Sequence, residues 1–292
     1  MTGNTVRPGR GIMKIRPRMV IEDAAIVAAT FVFLIFMVFP FLWVVLTSIR
    51  PDAEMFTRTL QILPSRVTTE QYRALFASGS NFPRYILNSI FVCLVSTVVT
   101  VLVSILAAYG FSRFVFAGRR KIIAGFAFSQ LFPFVVLLLP LYIVFWRLNL
   151  VNRFVGLILA YVAITLPFCV YMLLGYFQSV PKSIDEAAVI DGCSTPRVIF
   201  SVVLPIAWPG IAATAVYAFV RSWNEYLFAL TLMTDESRKT VPVGLANFFG
   251  QYTTDWGAVM SASVVATLPT LVFFLFMQRQ LVSGLAAGAV KQ

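Results

Sequence analysis

Groups able to do chemistry are few in this chain, and they concentrate in two places. Asp185, Glu186 and Asp191 gather within seven residues. Closely set carboxylates are the raw material of general acid–base catalysis or of a hard-cation site. Ser183 and Glu186, however, stand three apart. That is the spacing of a capping box, in which each side chain takes a free backbone N–H of the other residue at a helix start. Capping accounts for two of the three acids without catalysis. The second place is Arg221-Ser222-Trp223-Asn224-Glu225-Tyr226, inside an apolar run. A central Arg or Asp in a membrane helix costs about 2.5–3.5 kcal/mol on insertion scales. Arg221 and Glu225 are four apart, share a helical face and can pair, although Arg before Glu is the weaker order. Two uses fit: Trp223, Asn224, Glu225 and Tyr226 lining a water-filled cavity, or a structural ion pair packed against a partner.

Missing residues exclude other chemistries. There is no histidine, the commonest general base and metal ligand. Cys93, Cys169 and Cys193 are isolated, without a disulfide framework or metal spacing. No G-x-x-x-x-G-K-[ST] phosphate loop occurs, so the chain does not bind and hydrolyse ATP by itself. A motor, if there is one, is another subunit. The net charge of +11 could suggest nucleic acid, but no basic stripe is interleaved with stacking aromatics in a solvated segment.

The elements that must position these residues are membrane helices. The chain is 59% hydrophobic and 12% charged, with a mean hydropathy of +0.86. Soluble domains carry about 25% charge, so this is an integral membrane protein. A basic tail over 1–23, with Arg7, Arg10, Lys14, Arg16 and Arg18, precedes a first apolar run at 24–46, read as an uncleaved signal anchor. Five further runs, at 86–109, 122–145, 154–177, 206–232 and 258–277, each approach the roughly 20 residues needed to cross. Gln130, Thr165 and Pro167 within them read as interhelical bonds and kinks. Six crossings put both termini on one side. Thirteen Lys and Arg lie on that side against nine opposite, so it is the cytoplasmic one. The 47–85 segment and the 233–257 loop then face outward, either as simple connecting loops or as candidate contacts for a substrate-delivery protein. Residues 69–76 suggest a short amphipathic surface helix.

Residues 180–209 form a cytoplasmic elbow in this reading. The Ser183–Glu186 box starts one short helix, and Gly192 ends it in the left-handed conformation. Thr195-Pro196 starts a second, as cap and first helical residue, and Leu204-Pro205 closes it before the next span. Two short helices with a sharp bend suit either a docking lever seated in a protein groove or an ordinary interfacial connection.

A resemblance bears on that choice. Glu186-Ala187-Ala188, three residues, Gly192, nine residues, then Val202-Val203-Leu204-Pro205 resembles the EAA loop of ATP-binding-cassette (ABC) importer permeases, whose pattern is E-A-A-x3-G-x9-I-x-L-P. Val202 for Ile is the departure. Flanking stretches at 177–181 and 222–226, Asn88-Ser89 and the Gly/Ala-rich 284–291 resemble the carbohydrate branch, similar to the maltose importer's G subunit. The likeness covers roughly 72–292.

The resemblance implies an all-α polytopic protein with six transmembrane helices and the type I (MetI-like) importer permease fold. Its core would be 86–281, with a coupling loop at 180–205 and a cytoplasmic tail at 282–292, which in the maltose type inserts between the ATPase subunits. It implies that Ser183, Glu186, Ala187, Ala188, Asp191, Gly192, Arg197, Leu204 and Pro205 meet an ATPase dimer. That dimer would hold the ATP and Mg, and this chain no cofactor of its own. A second, non-identical permease, an extracytoplasmic sugar-binding protein and membrane lipid complete the partners, in a bacterial inner membrane. The cargo would be a di- or oligosaccharide, although in maltose-type importers the sister permease supplies most sugar contacts. A secondary transporter or channel is the rival reading; it would need its own coupling-ion site, for which Glu225 alone is thin.

Overall fold

A computed structural model describes residues 17–56, 62–250 and 254–289, with side chains described from 25 to 280 within these segments. Most of the basic tail, part of the outer-loop stretch around 251–253 and the terminal 290–292 lie outside the described residues. The chain is helical almost throughout. In order come α1 (Pro17–Ser48), α2 (Glu70–Leu75), α3 (Phe82–Arg113), α4 (Arg119–Ser129), α5 (Phe134–Arg147), α6 (Phe154–Ser179) and α7 (Lys182–Ile190). Then follow α8 (Thr195–Arg197), a π-helical stretch (Val198–Val203), α9 (Leu204–Trp223), α10 (Leu227–Leu232), α11 (Val241–Ala246) and α12 (Trp256–Ala289).

Among the described residues five helices are long and apolar enough to cross a membrane, or six if the bent pair α4 and α5 is one span. This is a multi-pass membrane protein. At its centre α3 packs against α6 and α9. The inward face of α3 carries Val92, Ser96, Thr100 and Ser104, all buried, at a spacing of four that keeps them on one stripe. Small hydroxyl residues there let the helices approach closely, as lipid-embedded packing requires. Thr100 and Thr165 join α3 to α6 by a hydroxyl pair at 3.0 Å. By contrast α1 lies outside this core, touching α12 while its apolar side chains stay exposed. The core divides into two clusters. One surrounds Phe82, Tyr161, Trp223 and Phe228; the other surrounds Tyr109, Phe177, Val198 and Val203.

Three expectations fail locally. The 122–145 run is not one straight crossing: α4 and α5 meet at 106°. Pro133, with no N–H to give, precedes α5 in extended conformation, and residues before a proline avoid the helical region. The 206–232 run breaks after Trp223, and α10 starts anew at Leu227. Conversely, Leu204-Pro205 closes nothing. Helix continues from Thr195 to Trp223, and Pro205 falls in the first turn after the π stretch, where the backbone ladder is already shifting register.

Candidate coupling and pathway sites

The elbow is built around α7. Its N-cap is Pro181, not Ser183, and no side chain caps the start, so the expected capping box does not form. Proline before the first helical residue fixes the entry angle, and Ser183 and Glu186 point out instead, both exposed. The end follows the sequence closely. Gly192 has φ +80°, the Cys193 N–H donates to Ala188 O at 3.0 Å, and the Gly192 N–H donates to Val189 O at 3.0 Å. These are the two bonds of a Schellman cap, which needs a residue free to adopt positive φ. The second piece starts at Ser194 as N-cap, with Thr195 already helical, so Thr195 is not the cap.

Ala188 turns inward against Val198 and Ile199. Glu186, Ala187 and Val189 face out, and Ile190 is 85% exposed. Asp191, Gly192, Arg197 and Pro205 are exposed as well, with Leu204 half-buried. Eight of the nine proposed coupling residues therefore have surface available; Ala188 does not. An exposed Val–Ile pair beside Glu186, at the end of the bundle, is an apolar patch with an acidic edge.

The inward side of α7 holds a contact that sequence reasoning missed. Asp185 receives Arg113 Nε at 2.7 Å and Arg113 Nη2 at 3.0 Å, a two-pronged pair with side chains only 12% and 7% exposed. Tyr109 Oη donates to the same carboxylate at 3.1 Å, and Arg113 Nη1 donates to Phe177 O at 3.0 Å. One guanidinium thus joins α3, the end of α6 and α7. Removing one partner of such a buried pair leaves a bare charge, a loss of about 3–5 kcal/mol. Arg113 counts in the sequence only toward charge on the cytoplasmic side, and Asp185 only as one of three acids. The available signal was phase: Asp185 lies three residues before Ala188, on the packed side of α7.

At the other end the chain leaves α9. Trp223 is buried, donates Nε1–H to Ala266 O at 3.2 Å, and stacks with Phe219 at 5.7 Å between ring centroids. It packs into the core, and only a small part of its surface borders the larger of two hollows at this end of the bundle. Glu225 is 6% exposed and accepts the N–H groups of Phe228 at 3.0 Å and Ala229 at 3.1 Å. It caps α10. The expected Arg221–Glu225 pair is absent among the described ion pairs, because α9 ends between them and four-residue spacing no longer maps onto one face. Arg221 lies over the Phe134 ring at 4.8 Å instead, a cation–π contact. Tyr226 is half-buried and Asn224 exposed.

Two hollows flank this break. One of about 170 Å³ is lined by Phe134, Leu138, Arg221, Asn224, Glu225 and Tyr226. The other, about 350 Å³, is lined by Trp223, Asn224, Ser263, Thr267 and Thr270 among others. Asn224 borders both. Beyond, Asn88 Nδ2 donates to Ser237 O and Lys239 O, and Ser89 Oγ accepts the Val241 N–H at 2.8 Å. Those bonds pin the 233–241 loop to the start of α3.

Comparison with known proteins adds four findings. Residues 100–286 match the family model described as "Binding-protein-dependent transport system inner membrane component". The chain is 37% identical to the trehalose/maltose transport system permease protein MalG of Thermococcus litoralis, over 93% of this chain and 98% of that one. It is 35% identical to the sulfoquinovosyl glycerol transport system permease protein SmoH of Agrobacterium fabrum, over 87% and 88%. Its fold matches a chain from the crystal structure of a bacterial ABC transporter that imports alginate, with TM-score 0.77 at 19% identity, covering 91% and 98%.

Proposed function

Because the chain belongs to the family of binding-protein-dependent transport system inner membrane components and has its MetI-like all-α fold, we propose that it is the sugar-translocating permease subunit of an ATP-driven importer, coupled to its motor through α7. It forms half of the pathway beside a second permease. Both termini and α7 face the cytoplasm, on the balance of positive charge. A separate ATPase dimer holds ATP and Mg, and an extracytoplasmic sugar-binding protein delivers a di- or oligosaccharide. Trehalose and maltose, the named cargo of one relative, are disaccharides and support this substrate class, while the sulfoquinovosyl glycerol named for another supports a glycoside more broadly.

One observation carries the reading: a nine-residue helix, fastened to the bundle on one side, turns Glu186, Val189 and Ile190 to the outside. A nine-residue helix is too short to hold itself together in water, so its exposed apolar side chains suit a groove on a partner. Closure of the ATPase dimer would push α7, and the bundle would move between inward-open and outward-open forms. The chain makes and breaks no bonds in this cycle. Around Asn224 and Tyr226 the hollows offer an amide and a ring edge, which suit sugar hydroxyls and C–H faces.

The test is Glu186→Lys in the reconstituted complex. ATP-dependent sugar uptake and ATPase stimulation by the loaded binding protein should both vanish while the permease still inserts. Uptake at the unaltered rate would refute docking at this face.

A further inference from the structure

Resting on the reading of α7 as the motor-facing helix, we propose that Arg113, Asp185 and Tyr109 are positioning residues that lock α7 to α3, so that the two move as one body during the transport cycle. Short connections leave α7 free to pivot. Behind it Val180-Pro181 forms a two-residue turn from α6, and ahead of it Gly192 adopts positive φ. Apolar contact of Ala188 with Val198 and Ile199 resists separation but permits sliding. A two-pronged guanidinium–carboxylate pair resists both, because its two parallel bonds fix distance and orientation together. The third prong, Arg113 Nη1 to Phe177 O, extends the lock to the end of α6. Tyr109, one turn before Arg113 on α3, closes the remaining side of the carboxylate.

Location makes this pair a transmitter of force. Arg113 is the last residue of a 32-residue helix that crosses the membrane and packs on α6 and α9. Push on α7 therefore arrives at the end of the central helix, through α3's own side chain. An unlocked α7 would follow the motor while the bundle lagged, so ATP would be hydrolysed without transport. The pair should set the ratio of sugar moved to ATP hydrolysed, while motor binding stays with the outer face.

Reconstituted complexes carrying Arg113→Gln or Asp185→Asn test this. Sugar transported per ATP should fall about tenfold, within the usual range of coupling between sites, with the ATPase subunits still bound. Arg113→Lys, which keeps the charge but loses the fork, should fall between. The exchanged pair Arg113→Asp with Asp185→Arg should recover much of the ratio, which general loss of packing would not do. An unchanged ratio in both single variants overturns the proposal.

A second measurement does not depend on those variants. In a Cys193→Ser background, nitroxide labels at the exposed positions Val103→Cys on α3 and Lys182→Cys on α7 should keep one distance distribution with and without ATP in the assembled complex. A distance that changes on ATP binding overturns the lock. Cross-linking of Val189→Cys to the ATPase subunit separately tests the docking on which the lock rests. Its absence refutes that docking, and the lock as a coupling device falls with it; cross-linking with a changing label distance overturns the lock alone.

Discussion

Each end of the bundle buries a carboxylate, and the two are satisfied in opposite ways. Asp185 takes its bonds from Arg113 and Tyr109, more than seventy residues away in sequence. Glu225 takes its bonds from the N–H groups of Phe228 and Ala229, three and four residues on. The first ties separate helices into one piece. The second ends one helix and starts another, leaving Arg221 free to lie on Phe134. A long-range pair makes a region stiff between elements, whereas a local cap shapes one segment and leaves its neighbours room. The elbow end is thus tied across three helices, and the opposite end frames two hollows.

Four substitutions or conditions would break or sharpen that contrast. The largest effect belongs to Gly192→Pro at the elbow. Proline holds φ near −65°, which Gly192's φ of +80° cannot accommodate, so uptake by reconstituted complexes should disappear while membrane insertion remains. Next comes Glu225→Ala, which strands two buried N–H groups. A loss of about 1–3 kcal/mol should appear as a lower Tm of the purified protein, with ATPase docking intact. If docking failed too, the two ends would not be independent. Asn224→Ala should raise the half-saturating sugar concentration a few-fold and leave Tm unchanged, because Asn224 is exposed and its amide bonds only to Val220 O.

Acid should have the smallest effect. Lys239, and then Tyr85, hold the Glu236 carboxyl below the usual range. A lowered folded-state pKa stabilises above the unfolded value of about 4.3 and loses that contribution as pH falls through the folded value. Protection of the 233–241 amides, relative to their intrinsic exchange rates at each pH, should therefore fall slightly below about pH 4, and Glu236→Gln should remove that dependence. Glu236 is half exposed, so the shift should be modest.

Most of the architecture was legible because it is written in short-range signals. Apolar runs marked the spans, and Gly192 marked the end of α7 through its own backbone freedom. The missed features have a common cause. Gln130–Pro133 and Asn224–Tyr226 are short, less apolar interruptions inside longer apolar runs, yet the backbone ladder breaks at both places, and the hydropathy of a run does not register hydrogen bonds. Ser183 and Glu186 had capping spacing, but Pro181 set the helix start and left them outside. Arg113 and Asp185 are far apart in sequence, so their meeting could be read only from the packing of α3, α6 and α7. Trp223, read from the sequence as a cavity-lining residue, is mostly packed in the core against Phe219 and Ala266 and only borders the larger hollow.

The six-residue π stretch at Val198–Val203 has a separate consequence. Each residue added to or removed from an α-helix turns everything beyond it by about 100°. The wide turn sets the rotational phase between the elbow and α9, so that Val198 and Ile199 meet α7 while Ala207 and Ile211 still point into the bundle. Its role is that of a gear tooth: residues here are counted as much as they are chosen. Removing any one of them would spin α9 out of mesh and carry Phe219 and Trp223 away from their seats, a rearrangement beyond the reach of any single side-chain exchange in the same stretch.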